Sequence, residues 1–354
     1  MARQRLRDLG LHVGDLQTGP MNAITDVGGV LVGQVTLVED SPYCVRSGVT
    51  VIEPAAGESW IRHLFAGAHV LNGNGELTGL AWVNEFGLLC GPIALTGTYS
   101  VGAVYEGLSK AETHAGTTAN LYLPMVGETD DSWLSDRAAF AVRPDHAELA
   151  LSRASGGPVA EGCVGSGTGM ITHEFKAGIG TASRTVELSD RNFTVGVLVQ
   201  TNYGRRARLS LNGRPVGEQI GTDAVASPWP TPRDNGSIIV IVATDTPLLP
   251  HQCTRLAQRA GLGVGRVGGT GAPGSGDIFL CFSTANSHDA TETARIHSVE
   301  FVSDMALGPL FAAVIEATEE SIWNALCGAE TMTGQHGRTA HAIPYDLLTR
   351  AIAT

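Results

Sequence analysis

TPRDNGSIIVIVATD, residues 231–245, is the stretch on which the fold turns. Pro232, Asp234, Asn235 and Gly236 are turn formers, and at Ser237 the chain switches into Ile238, Ile239, Val240, Ile241 and Val242. An unbroken β-branched run has no polar face to offer water, so it suits a strand covered on both sides. Ser237, whose hydroxyl can serve as a nucleophile, stands at the first position of that strand. Read locally, Asn-Gly ahead of an apolar run is a hairpin-turn signal, and the Ser is an ordinary turn residue. The rest of the chain decides between the two readings.

Downstream, PLLPHQCTRLAQRAGLG predicts a helix from residue 250, closed by Gly261, and DIFLCFSTA, 277–285, predicts a second buried strand. Strand, helix and strand form a β–α–β unit. If its strands are parallel neighbours, their first residues lie side by side. Ser237 then falls beside GSGD, 274–277, which brings Ser275 and Asp277 near its hydroxyl. A turn Ser alone carries little information; Ser, Ser and Asp converging at strand starts is the pattern of a nucleophile with supporting hydrogen bonds. The glycine runs GVGRVG, 263–268, and GTGAPG, 269–274, match G-x-G-x-x-G. A dinucleotide site needs that pattern after a strand and opening a helix, whereas here it follows a helix and opens a strand.

Upstream, strands or hairpins are expected over 24–38 and 48–54, a short strand runs into a turn within 66–77, and further strands are expected near 79–84 and 88–95. Residues 97–114 have helical spacing, and 143–153 include a helical turn or two. GCVGSGTGM, 162–170, is a glycine-rich loop, and TVGVLVQTNYG, 194–204, is a buried strand ending at Asn202. Residues 205–236, rich in Arg, Gly, Pro, Ser and Asp, read as an exposed connector and the best candidate boundary. Two helices are expected over 303–329 and a last one over 343–353. Strands first, then strand alternating with helix, indicate a layered α/β protein.

Composition narrows the function. Only 16% of the 354 residues are charged and 45 are glycine, against ordinary levels of about 25% and about 7%. Few charges and many tight turns indicate a compact, enzyme-like, oligomeric body. A net charge of −12 argues against nucleic acid as partner. MARQRLRDLGLHVGDL has no apolar core region, so a signal peptide is not expected, and no membrane span is expected either. The cysteines at 44, 90, 163, 253, 281 and 327 contain no C-x-x-C and read as reduced, cytoplasmic thiols. His336 and His341, five apart in a Gly/Thr loop, are weighed as metal ligands and set aside. Neither a metal nor a cofactor is expected.

DNGSIIVIVATDTPL followed by GSGDIFLCFSTAN resembles the DmpA-like and BapA-like aminopeptidases, the L-aminopeptidase/D-esterase and β-aminopeptidase family. NAITDVGGVLVGQVTL (22–37), SGVTV (47–51), HVLNGNGELTGL (69–80), GPIALTGTYSVG (91–102) and GRTAHAIP (337–344) extend the resemblance over nearly the whole chain. The resemblance implies a four-layer α/β/β/α sandwich like that of N-terminal-nucleophile hydrolases. It implies a single peptidase domain that cuts itself at Gly236–Ser237 into 1–236 (α chain) and 237–354 (β chain). The two pieces stay together, and cleaved units assemble as tetramers. It implies as substrates small peptides, amides or esters with a free amino terminus. On it, Ser237 is the nucleophile, Asn202 the oxyanion-hole amide, Ser275 and Asp277 the groups near the nucleophile, and Glu128 the carboxylate near the substrate's amino group. BapA-like members carry Glu, one methylene longer, where Asp277 stands. Many relatives carry an aromatic residue where this chain has Asp130, which changes the pocket's shape or adds a second carboxylate. Trp133 is either an aromatic wall of the pocket or a packed core residue. Asn202 can also be read as a strand-end turn residue, and Glu128 as part of a solvated acidic loop.

The chemistry stands beside the resemblance. A serine hydroxyl needs a base, and a freed Ser237 would carry an α-amine of ordinary pKa about 7.7–8.0, so nucleophile and base would share one residue. Gly236, lacking a Cβ, tolerates strained dihedrals at the cut. Two rival readings remain: an ornithine acetyltransferase-like enzyme, which uses Thr as nucleophile, and a non-catalytic, uncleaved homologue acting as a binding protein.

Overall fold

The computed structural model describes residues 3–116, 123–231, 236–292, 294 and 296–353. Leu31–Glu39 (β1) and Val45–Glu53 (β2) pair antiparallel, and the long strand Arg62–Gly73 (β3) follows. Leu80–Phe86 (α1) separates β3 from Leu88–Leu89 (β4), and Ile93–Gly97 (β5) leads into Val101–Ala115 (α2). After Met125–Thr129 (β6) and Pro144–Ser152 (α3), a tight hairpin of Ile171–Thr172 (β7) and Phe175–Lys176 (β8) precedes Ile179–Leu188 (β9) and Arg191–Asn202 (β10). A short helix, Val216–Gln219 (α4), comes before Gly236–Thr244 (β11), Pro250–Val267 (α5) and Ser275–Asp289 (β12). Gly308–Gly328 (α6), the small hairpin Met332–Thr333 (β13) and Thr339–Ala340 (β14), and Tyr345–Ala353 (α7) complete the chain.

The strands form two main sheets, ordered β1-β2-β5-β6 and β4-β3-β12-β11-β10-β9. β11 lies inside the larger sheet, parallel to β12 and antiparallel to β10. Its alternating faces meet two different cores. Ile239 and Ile241 pack with Ile52, Ile93 and Leu95 of the other sheet, while Ile238, Val240 and Val242 pack with Leu256 and Ala260 of α5 and Val314 of α6. A third core lies under α2 and α3, where Val104, Leu108 and Ala147 cover Val49, Val51 and Val126. The order of layers is therefore α/β/β/α, as the resemblance implies. Each Ile or Val so buried contributes roughly 1.5–3 kcal/mol of transfer free energy, which is why the apolar run has no alternative place in the structure.

Several expectations are corrected. Residues 79–84 are not a strand: α1 forms there, with Trp82 stacked on Phe86 one turn later at 3.9 Å between ring centroids. α5 does not stop at Gly261 but runs on to Val267 and is capped by Gly268. Gly263 serves close packing instead, since a Cβ there would lie 2.6 Å from the Thr318 side chain of α6. GVGRVG thus ends a helix. Over 303–329 there is one long helix, preceded by a 3₁₀ turn at Asp304–Ala306. The first strand begins at Leu31, after a 3₁₀ turn at Ile24–Asp26.

The segment 205–231 is anchored rather than an exposed connector. Arg206, Leu209, Leu211, Val216, Ile220 and Val225 are buried, spaced singly among polar residues that face out. Pro232, Asp234 and Asn235 lie outside the described residues. β9 was not anticipated, because IGTASRTVEL lacks an apolar run. It is buried because Arg184 is neutralised by α6, through Glu316 at 3.0 Å and Glu320 at 2.7 Å. Among the described residues no helix is long and apolar enough to cross a membrane.

Candidate functional site

Ser237 sits second in β11, where three strands meet. Across the antiparallel seam its register partner is Asn202, the last residue of β10; across the parallel seam it is Gly276 of β12. The Gly276 N–H donates to Ser237 Oγ at 3.2 Å. The β–α–β unit expected from the sequence is present, and its parallel register places Gly236 opposite Ser275 and Ile238 opposite Asp277.

Alternation along the strands refines what that register delivers. Ser237 shares a sheet face with Gly276, whereas Ser275 and Asp277 lie on the face of Ile238, toward the helices. There Ser275 Oγ donates to Asp277 Oδ1 at 2.7 Å, and the backbone N–H of Ile238 also reaches the Asp277 carboxylate. Asn72 Oδ1 accepts the Asp277 N–H at 3.1 Å. Burial holds the Asp277 carboxyl above its ordinary pKa, with Ser275 pulling it back. This pair is a neighbour of Ser237 in sequence register but borders a different, smaller pocket.

Gly236 has φ +146°, a conformation L side chains rarely adopt, and a Cβ there would lie 2.2 Å from the Asn202 carbonyl oxygen. Only glycine fits. Asn202 is held from both ends of its amide: Oδ1 accepts the Ile171 N–H at 2.8 Å, and Nδ2 donates to the Asp130 carbonyl at 2.9 Å. A primary amide has two N–H groups. Among the described residues one is committed to Asp130, and the other has no acceptor.

Ser237 and Asn202 line a cavity of about 330 Å³ together with Glu128, Asp130, Trp133 and Trp229. Glu128 lies at the buried end of β6, where Oε1 accepts the Glu76 N–H at 2.9 Å and Oε2 accepts from the Thr98 hydroxyl. Burial raises its pKa, and the Thr98 and Glu76 donors oppose that rise. Asp130 is exposed at the cavity mouth, where Oδ1 accepts the Ser132 N–H at 2.9 Å. Trp133 is a wall residue: its ring meets Trp229 edge to face at 5.7 Å, and the Arg338 guanidinium covers it at 4.0 Å.

The cavity therefore combines two carboxylates, aromatic walls, and a hydroxyl whose register partner carries an amide donor. It can seat an ammonium group and present the adjoining carbonyl to Ser237. Thr98 and Trp229 were missed in the sequence. Thr98 opens a helix that was read for its apolar spacing, and Trp229 falls inside the supposed connector, where SPWPTP offered only an isolated aromatic. For metals, one described group, His288 near the end of β12 with Glu292 and His297 beyond it, offers ligand atoms all within 4.8 Å of one another. It is remote in sequence from the His336 and His341 weighed earlier.

Residues 22–340 match the model of peptidase family S58. β-Peptidyl aminopeptidase BapA of Sphingosinicella microcystinivorans is 43% identical, over 98% of this chain and 91% of its own length. The protein of the same name from Sphingosinicella xenopeptidilytica is 41% identical over 99% and 91%. The solved β-aminopeptidase of a Burkholderia species superposes with a TM-score of 0.92 at 47% identity, covering 99% of this chain and 98% of that one. The L-aminopeptidase D-Ala-esterase/amidase of Ochrobactrum anthropi, a serine aminopeptidase with a variant of the Ntn hydrolase fold, also superposes with 0.92, at 40% identity over 99% and 98%. These likenesses favour neither the acetyltransferase nor the binding-protein reading.

Proposed function

The chain belongs to peptidase family S58, and from that premise we propose that it is a self-processing serine aminopeptidase with Ser237 as its nucleophile. In the precursor Ser237 Oγ attacks the Gly236 carbonyl, the acyl group moves from the Ser237 nitrogen to its oxygen, and water hydrolyses that ester to leave a Gly236 carboxylate and a free Ser237 α-amine. The released α-amine of Ser237 then takes the proton from its own Oγ as that oxygen attacks the substrate carbonyl. The Asn202 amide stabilises the oxyanion. The leaving amine departs with the proton, an acyl ester forms on Ser237, and water hydrolyses it by the same steps in reverse roles.

Glu128 binds the free amino terminus of the substrate, which restricts the enzyme to small peptides, amides and esters with an unblocked amine. Asp130 and Trp133 shape the rest of that subsite. Ser275 and Asp277 brace the start of β11 from the far face. The cleaved units associate as a tetramer.

The observation that carries this reading is the convergence of Ser237, Asn202 and Glu128 on one cavity. Intact mass and N-terminal sequencing test it. The wild type should give two chains, the second starting at Ser237; Ser237→Ala should stay whole and inactive. An active, uncut wild type, or a variant that still divides, would sink the mechanism. A panel of L-Ala, D-Ala and β-homo-amino acid p-nitroanilides then sets the acyl preference.

A further inference from the structure

Lys176 is fully buried, the last residue of the small β7–β8 hairpin, and takes no part in the proposed chemistry. The hairpin turns through His173 (φ 48°) and Glu174 (φ 64°), two left-handed residues of the kind a tight primed turn demands. That turn sets Lys176 opposite Ile171 in register. Lys176 Nζ donates to three backbone carbonyls: Gly167 at 3.3 Å, Met170 at 2.8 Å and Ala177 at 2.6 Å. Three acceptors require three protons. An uncharged amine has two and would leave one of these carbonyls without a donor; burial lowers the Lys176 pKa, while the three carbonyls and the neighbouring Cys163 thiol favour the ammonium form.

The Met170 carbonyl and the Ile171 N–H belong to one peptide group. Its oxygen accepts from Lys176 Nζ and from the Ala177 N–H at 3.2 Å; its N–H donates to Asn202 Oδ1 at 2.8 Å. We infer that Lys176 is a positioning and polarising residue for the oxyanion site, acting through the 170–171 peptide on the Asn202 amide. The ammonium draws electron density from the Met170 carbonyl, which makes the Ile171 N–H a stronger donor. That bond in turn draws density from Asn202 Oδ1 and strengthens Nδ2–H as a donor to the substrate oxygen. Successive hydrogen bonds of this kind reinforce one another by about 10–30% per bond, and the low dielectric of the interior preserves the effect. The same bonds lock the plane of the Asn202 amide, so its free N–H keeps a fixed direction. The inference rests on the assignment of Asn202 as the oxyanion donor.

The test is a double-mutant cycle on the self-cleaved enzyme. Lys176→Met removes the charge and the three donors. With rates expressed per cleaved chain, we expect kcat to fall about tenfold while KM stays within twofold, since the relay acts on charge that develops only in the transition state. The first-order rate of self-cleavage should fall in parallel. In an Asn202→Ala background, Lys176→Met should cost less than twofold further. If the two substitutions multiply independently, or if Lys176→Met keeps the wild-type kcat, the relay is wrong. Should Lys176→Met fail to fold, Lys176→Gln, which keeps a donor without the charge, is read the same way. A wild type without peptidase activity would instead count against the functional reading itself.

Discussion

Ser237 and Asn202 are directly opposed across the antiparallel seam of β10 and β11, one near the start of its strand and the other closing its own. A hydroxyl and an amide are thus held at one end of a sheet by the same backbone ladder that builds the core. Neither backbone depends on a loop for its position, and the Asn202 amide is oriented by Ile171 and by Asp130, just past the end of β6.

Asn202→Ala should leave the fold intact, because the side chain sits at a strand end, and should lower kcat by roughly 10²–10³-fold, the usual cost of one oxyanion donor. Steady-state kinetics on the cleaved enzyme measures this. A drop of less than about threefold would remove Asn202 from the oxyanion site.

Gly236→Ala places a methyl group against the Asn202 carbonyl at a φ that alanine resists. The substitution should destabilise the uncut chain by about 1–3 kcal/mol and slow the appearance of the Ser237 terminus. Denaturant unfolding and timed gel electrophoresis check the two effects separately.

Glu128→Gln should raise KM for substrates with a free amine and leave kcat less affected. The pH dependence has a definite sign. Burial raises the Glu128 pKa, so its carboxylate is neutralised at a higher pH than an ordinary glutamate. Affinity for an ammonium substrate should therefore decline on acidification before the usual carboxylate range is reached, and the glutamine variant should lack that decline. KM against pH for both proteins decides it.

Asp131, beside the cavity's Asp130, is fully buried, and burial pushes its carboxyl from 3.8 to about 7. The folded state thus holds a proton that the unfolded chain has lost, and stability falls as pH rises from about 4 to 7. Asp131→Asn should raise the unfolding midpoint by a few degrees at pH 8, and the difference should vanish near pH 4. Calorimetry at the two pH values tests this.

The central β–α–β unit was legible because a run of consecutive β-branched residues has one physical solution, and parallel neighbours share their starts. The side-chain faces were less legible. Register placed Ser275 and Asp277 next to Ser237, but alternation sets them on the helix-facing side, with Gly276 beside the hydroxyl. α1 was missed because a short apolar run reads equally as strand or helix until Trp82 finds Phe86. The end of α5 was misplaced because Gly261 looks like a stop signal, whereas it is a packing position inside the helix, where a Cβ would lie 3.1 Å from the Phe279 ring. Glu128, Asp130 and Trp133 were found through a resemblance to relatives. Lys176 had no signal at all, since a buried lysine satisfied by carbonyls is visible only once the hairpin around it is formed.

β11 and β12 lie between β10 on one side and β3 on the other, so strands from beyond residue 236 are inserted between strands from before it. A break at Gly236–Ser237 would sever one covalent bond and leave in place every rung from Ser237 onward in both ladders, only the Gly236–Ser275 pair lying beyond the cut. The two products would then be interleaved rather than merely docked. Pulling them apart would mean unzipping the sheet along both seams and exposing two cores at once. Dissociation and unfolding would be the same event, and an intact native half could not be recovered alone.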